Sequence, residues 1–101
     1  MWETQMSLQF IGDYGIFLPG RDAVGCAALD RNRLVRWYTT RSALEKLGGS
    51  RSGTTLDLVD RFERNRRLLE RAADIKYRKG KMERDGSIRI ELADLDSVTG
   101  L

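Results

Sequence analysis

Along residues 7–18 the apolar positions Leu8, Phe10, Ile11, Tyr14, Ile16, Phe17 and Leu18 fall on either side of a polar Gly12-Asp13 corner, and Pro19-Gly20 stops the run. This pattern predicts one or two short strands. Residues 23–29 alternate small apolar side chains, Asp30-Arg31-Asn32-Arg33 makes a turn, and residues 34–39 alternate again with Val35, Trp37 and Thr39 on one face. The spacing predicts a hairpin in which Trp37 makes the largest contribution to a core.

The period then changes from two to three or four. Thr40 is placed to cap a short helix over 41–47, where Ala43, Leu44 and Leu47 share a face and Gly48-Gly49 ends it. Ser50-Arg51-Ser52-Gly53 reads as a flexible linker. Thr54 caps a long helix over 55–78, with Asp57 in capping-box position. Its apolar stripe is Val59, Phe62, Leu69, Ala73 and Tyr77, flanked by Leu58, Leu68, Ala72 and Ile75. Gly80 closes this helix, Arg84-Asp85-Gly86 is a hairpin turn signal, and over 87–92 Ile88, Ile90 and Leu92 alternate with Ser87, Arg89 and Glu91 as in a half-buried strand. Residues 93–101 have no period and are expected to fray.

The order of elements predicts one α+β domain over 7–95, between a flexible stretch at 1–6 and a frayed tail at 96–101. It is a two-layer arrangement: an antiparallel sheet of four to five strands packed against one long and one short helix, the sheet's other face wet. The composition agrees. A chain of 101 residues with 41% hydrophobic and 33% charged residues builds one core and is too apolar for disorder. At this size a homodimer that buries an edge strand or part of the helix is a natural supplement.

Candidate chemistry is narrowed by what is missing. With no histidine and one cysteine there is no His-based acid–base pair, no catalytic triad, no zinc site of the usual ligand types and no internal disulfide. No catalytic residue, metal or cofactor is expected. The start of the chain lacks a basic, apolar leader and the longest uncharged apolar run, 23–29, is far short of a membrane span, so a cytoplasmic protein with no membrane partner is expected.

The element order and several strings resemble a small bacterial family of unknown function, domain of unknown function 1488. The strings are Thr40-Arg41-Ser42-Ala43-Leu44, Phe62-Glu63-Arg64-Asn65-Arg66 with Leu69 and Ala73, and Asp85-Gly86-Ser87-Ile88 followed by Ala93-Asp94-Leu95. The resemblance implies a small α+β domain and supplies no activity, cofactor or catalytic residue.

Five local patterns bear on function. Gly48 and Gly53 have the spacing of a phosphate-binding loop, but Thr54 stands where the lysine is needed and a helix precedes the loop where the nucleotide fold needs a strand. Cys26 reads as a small buried hydrophobe with nothing near it to activate the thiol. Arg66 falls inside the apolar stripe and calls for a structural ion pair, with Asp22, Asp94 or Asp96 as partner. Asp57, Asp60 and Glu63 suit the positive end of a helix without any catalytic role. Of the aromatics beside basic residues, Trp37 and Tyr77 occupy core phases, leaving Tyr38 as the exposed one.

Charge separates the two leading functional readings. Residues 61–84 hold 10 of the 18 basic and 4 of the 15 acidic residues, a local balance of +6 against −3 elsewhere. The first reading is a non-catalytic protein-binding or regulatory module whose partner is another protein or a second copy. The alternative is a nucleic-acid-binding module whose contacts are Arg61, Arg64, Arg67, Arg71, Lys76, Arg78, Lys79 and Lys81.

Overall fold

The computed structural model describes residues 7–48 and 54–99. The expected flexible start, the 50–53 linker and the last two residues of the expected tail lie outside the described residues. Four strands form one sheet in the order β1-β2-β3-β4, with β1 at Gln9–Leu18, β2 at Ala23–Asp30, β3 at Arg33–Thr40 and β4 at Ile88–Ile90. The central hairpin follows from its turn, where Arg31 takes a positive φ of 60° and sets Asp30 opposite Arg33 and Cys26 opposite Trp37. β1 pairs antiparallel with β2, but its register slips between Ile11 and Ile16, and Gly12 at φ 99° lets the chain bulge there.

The last strand joins differently from the hairpin its turn signal suggests. β4 lies parallel to β3, with Ile88 against Trp37 and Ile90 against Thr39. Three helices intervene: α1 at Arg41–Gly48, α2 at Thr55–Arg64 and α3 at Arg66–Arg78. They carry the chain back across the sheet, so β4 enters from the same end as β3. The turn at Gly86, φ 87°, closes on itself through Glu83 N–H to the Ser87 carbonyl, 2.8 Å, and pairs no two strands. The architecture is therefore α+β with a mostly antiparallel sheet.

The expected long helix is two helices. Asn65, at φ −111° and ψ 20°, separates them, and its side-chain amide donates to the Arg61 carbonyl at 2.8 Å. That bond competes with the helical ladder and gives the chain an alternative to continuing straight. Both apolar halves still reach the core, since Leu58, Phe62, Leu69, Ala72 and Ala73 are all buried. The N-cap is as the spacing predicts: the Thr54 hydroxyl accepts from Asp57 N–H at 3.2 Å. Thr40 similarly faces Ala43 N–H at 3.4 Å at the start of α1.

The segment expected to fray opens as a fourth helix, α4 at Leu92–Thr99, and β4 is correspondingly shorter than the predicted strand. Asp94 Oδ2 caps α4 by accepting Glu91 N–H at 2.8 Å, and Leu95 is buried. Among the described residues no helix is long and apolar enough to cross a membrane.

All the helices lie on one side of the sheet. Trp37 sits between Phe10 on β1, edge-on at 5.4 Å between ring centroids, and Phe62 on α2, tilted at 5.1 Å. Val24, Ala28, Val35, Ile88 and Ile90 complete the floor on which α2 and α3 rest.

Two stability outcomes follow from this packing. Phe62→Ala leaves a cavity under Trp37 and lowers unfolding free energy by about 3–5 kcal/mol in a urea titration. A Cβ on Gly15 would lie 2.6 Å from a Val24 methyl and 2.7 Å from the Phe62 ring, whereas one on Gly20 meets nothing within 4 Å. Gly15→Ala therefore costs about 1–3 kcal/mol, and Gly20→Ala stays within about 0.5 kcal/mol of the parent in the same assay.

Candidate functional site

Alternation along β2 sends Val24 and Ala28 to the helices and leaves Ala23, Gly25 and Ala27 on the opposite face. Their neighbours there are larger. Ile16 and Leu18 stand on β1 and Leu34, Arg36 and Tyr38 on β3, so the small residues of β2 lie between two walls. The result is a hollow of about 980 Å³ on the face that no helix covers among the described residues. Tyr14, Ile16 and Leu34, which line it, are 69%, 66% and 53% exposed. Tyr14 and Ile16 reach this position through the β1 bulge.

The hollow's polar end is built on Tyr38. Its ring lies 4.6 Å from the Arg21 guanidinium, which also donates to its hydroxyl at 2.7 Å. Tyr38 is consequently only 3% exposed, against the expectation that it is the aromatic left in solvent. Arg21 continues to Asp85 at 2.6 Å, and Asp85 in turn accepts from the Ser87 hydroxyl at 2.6 Å and the Ser87 amide at 2.9 Å. The Ser87 bonds foremost, with Arg21, hold the Asp85 carboxyl far below the usual carboxylate range. Arg89, across the β3–β4 ladder from Tyr38, is held more firmly protonated by Glu91 and then by Tyr38. Arg36, further along β3, makes no salt bridge or side-chain hydrogen bond among the described residues, whereas Arg33 stands opposite Asp30 on the helix-side phase of the strand and acts on Tyr77, whose hydroxyl donates to Asp30.

A second cluster braces the bulge from the helix side. Arg66 pairs with Glu63 at 2.8 Å and Glu70 at 3.1 Å, and donates to the Gly12 carbonyl at 3.2 Å. Glu63 accepts Gly15 N–H at 2.6 Å. The three acids expected as partners lie elsewhere; Asp22, for instance, pairs with Arg41 and Asp94 with Lys76. Glu70, one turn on along α3, and Glu63, three residues back across the Asn65 break, reach the guanidinium through local sequence spacing, without any long-range alignment. The half-buried Cys26 thiol donates to the Ile11 carbonyl at 3.3 Å and has Arg66 at 3.1 Å, a neighbour not foreseen from the sequence. Two carboxylates already share that guanidinium, so the sulfur does not face an uncompensated cation. Among the described residues no group of three or more Cys, Asp and Glu is placed to hold a metal ion.

The eight cations of the nucleic-acid reading do not form one surface. Arg61 is buried, 7% exposed, with its Nη1 within 3.5 Å of the Leu44 and Glu45 carbonyls at the end of α1. Its place one residue before Phe62 turns it into the helix layer rather than outward. Arg64 pairs with Asp60, Arg78 with Asp74, and Lys76 with both Asp94 and the Arg89 carbonyl. Only Arg67, Arg71, Lys79 and Lys81 of the eight are exposed without an ion-pair partner among the described residues.

Residues 8–90 match the model of a family described as a protein of unknown function, DUF1488. The chain belongs to the DUF1488 family. A solved structure, that of a DUF1488 protein of unknown function from Shewanella loihica PV-4, is similar over 87% of this chain and 96% of that one, with a TM-score of 0.78 and 17% identity. That likeness establishes the DUF1488 fold. No curated protein matches the chain.

Asp85 gives the site a pH signature. Its carboxyl titrates below the unfolded value of about 3.9, so the stabilisation it provides is present above that pH and is lost as pH falls through the folded value. Asp85→Asn lowers Tm at pH 7, and scans taken at successively lower pH show the gap to the parent closing below about pH 4. A gap independent of pH would mean that the Ser87 and Arg21 bonds do not act on the charge.

Proposed function

We propose that this chain is a non-catalytic binding module that docks a protein partner on the uncovered face of its sheet. The observation that carries the reading is the hollow flanked by exposed Tyr14, Ile16 and Leu34. An apolar patch beside convergent polar groups, on a domain whose other sheet face is already packed, is what a recognition surface requires.

The chemistry of the lining supports binding over turnover. A general acid or base needs a group that exchanges protons near the working pH. Asp85 is held as an anion by Ser87 and Arg21, the arginines are permanent cations, and the Tyr38 hydroxyl already accepts from Arg21. Each is suited to orient a partner and none to shuttle a proton. The nucleic-acid reading is weakened by the burial of Arg61, by the engagement of Lys76 with Asp94 and the Arg89 carbonyl, and by Trp37 and Tyr38 being covered where a stacking platform must be open, while Arg64 and Arg78 remain exposed beside Asp60 and Asp74.

The test is affinity capture from bacterial extract with the parent chain and Ile16→Asp as parallel baits, with and without nuclease. Ile16 is mostly exposed, so the substitution leaves the fold intact, which circular dichroism verifies. The same proteins are retained in both extracts by the parent and lost by Ile16→Asp. Retention that vanishes with nuclease restores the nucleic-acid reading, and retention indifferent to Ile16→Asp removes the sheet face as the docking site.

A further inference from the structure

Resting on that docking reading, we infer that the partner is a second copy of this chain, packed sheet face to sheet face across a two-fold axis that runs along the strands between β1 and β2. Charge complementarity of the face with itself carries the step. Among the charged groups that line the hollow, Arg21 and Asp85 pair with one another at 2.6 Å, and Arg33 takes the helix-side phase opposite Asp30. Arg36 and Asp13 are left, one of each sign, both exposed and neither in a salt bridge or side-chain hydrogen bond among the described residues. They stand on opposite flanks, Arg36 on β3 and Asp13 in the β1 bulge, with β2 between them. A face with one unengaged charge of each sign on its two flanks is complementary to a rotated copy of itself, which is the condition an isologous interface imposes.

A single rotation matches charge and shape together. Half a turn about an axis parallel to the strands preserves position along them and exchanges the flanks. Ile16 is the ladder partner of Gly25, so the rotation seats the Ile16 ridge of each copy over the glycine floor of the other at the same level. Arg36 shares the level of Ala27 and Ile11, and Asp13 lies two residues beyond Ile11. The same rotation therefore carries Arg36 of each copy to the outer side of the other's bulge, where its fork meets Asp13, and the pair is made twice. Tyr14 and Ile16, 69% and 66% exposed in the single chain, are then covered, as between the aligned sheets of a sandwich.

Other occupants fit less well. An unrelated segment must bring an acid to β3 and a base to β1 at a fixed separation, whereas a second copy already carries both at that separation. A nucleic-acid strand has no cation for Asp13 and finds Tyr14 as the one exposed aromatic among the described residues lining the hollow, since Tyr38 is roofed by Arg21.

The experiment is sedimentation equilibrium of the whole chain, with circular dichroism to verify each fold, on the parent, Ile16→Asp, Arg36→Asp and Asp13→Arg. All three positions are exposed, so the variants keep the fold, and Arg36→Gln or Asp13→Asn, each also weaker in association, serves where one does not. The parent dimerises and Ile16→Asp stays a monomer. Arg36→Asp and Asp13→Arg each dimerise at least tenfold more weakly than the parent, because each sets two like-charged pairs in the interface. Mixed in equal amounts, these two recover the parent's affinity as a heterodimer, since every cross pair then joins an arginine to an aspartate. A parent that stays monomeric at high concentration, while extract capture is still lost with Ile16→Asp, overturns the second copy and leaves the docking face standing. A dimer lost in Ile16→Asp but indifferent to the charge variants, or not recovered on mixing, overturns the two-fold arrangement. A dimer that persists in Ile16→Asp lies on another surface, such as the edge of β1, and overturns the inference; extract capture that also persists overturns the docking reading with it.

Discussion

Trp37 held between Phe10 and Phe62 is the contact from which the rest of the structure is arranged. It joins β1, β3 and α2 at one point, and burial of a tryptophan of this kind is worth about 4–6 kcal/mol from area alone, with about 0.5–1.5 kcal/mol more for each ring pair. Its indole Nε1 and the nearby Thr39 hydroxyl are buried without a hydrogen-bond partner among the described residues. Each such omission costs about 1–3 kcal/mol, so the apolar gain exceeds the polar loss and the ring stays in place. The consequence reaches the other face of the sheet. Because Phe62 occupies the space above β1, only glycine fits at position 15, and the strand bulges between Ile11 and Ile16. Glu63 on Gly15 N–H and Arg66 on the Gly12 carbonyl fix the bulge from the helix side. Tyr14 and Ile16 are exposed on the far side as a result, so the rim of the hollow is set by the core beneath it.

Elements whose specification is local could be read from the sequence. The β2–β3 hairpin needs only its turn and its alternation, α1 and the start of α2 need only a threonine cap, and Gly80 takes the left-handed conformation its position implies at φ 73°. The two-helix break was written in the chain but overridden by periodicity. Phe62 and Leu69 are a full seven residues apart with Arg66 between them, a gap that a continuous stripe would fill. Asn65 supplied the competing hydrogen bond. The parallel pairing of β4 was not legible, because Ile88, Arg89 and Ile90 alternate identically in either direction and the choice is made by three intervening helices. The tail is a similar case: α4 depends on Leu95 reaching the core and on Asp94 meeting Lys76, both tertiary events.

The candidate site was less legible than the fold, for a reason of geometry. A linear count of charge pools residues from every side of α2 and α3, so Arg61 in the core and Arg67 in water contribute equally to it. Folding sorts them: of the eight candidate contacts, Arg61 turns in to the Leu44 carbonyl, Lys76 meets Asp94, and Arg64 and Arg78 pair at the surface with Asp60 and Asp74. The signal for the hollow was present in β2, whose second face reads Ala23, Gly25, Ala27 while its neighbours carry large side chains. Small residues on a strand are ordinarily taken as tight packing, and only the one-sided placement of the helices turns them into the floor of a cavity.

That one-sidedness also divides the charged side chains between the two faces of the sheet. On the covered face, cations placed near acids by helical spacing neutralise one another, as Arg66 does with Glu63 and Glu70. On the uncovered face, strand alternation places Arg36 beside Ala27, which has no charge to offer, and Tyr38 draws Arg21 and its partner Asp85 to the opposite end. Surface ion pairs contribute only about 0–1 kcal/mol each, so the sorting is not driven by stability. It leaves a difference in placement: Arg61, Arg66 and Lys76 are drawn into the helix layer, whereas Arg36 on the uncovered face makes no salt bridge among the described residues.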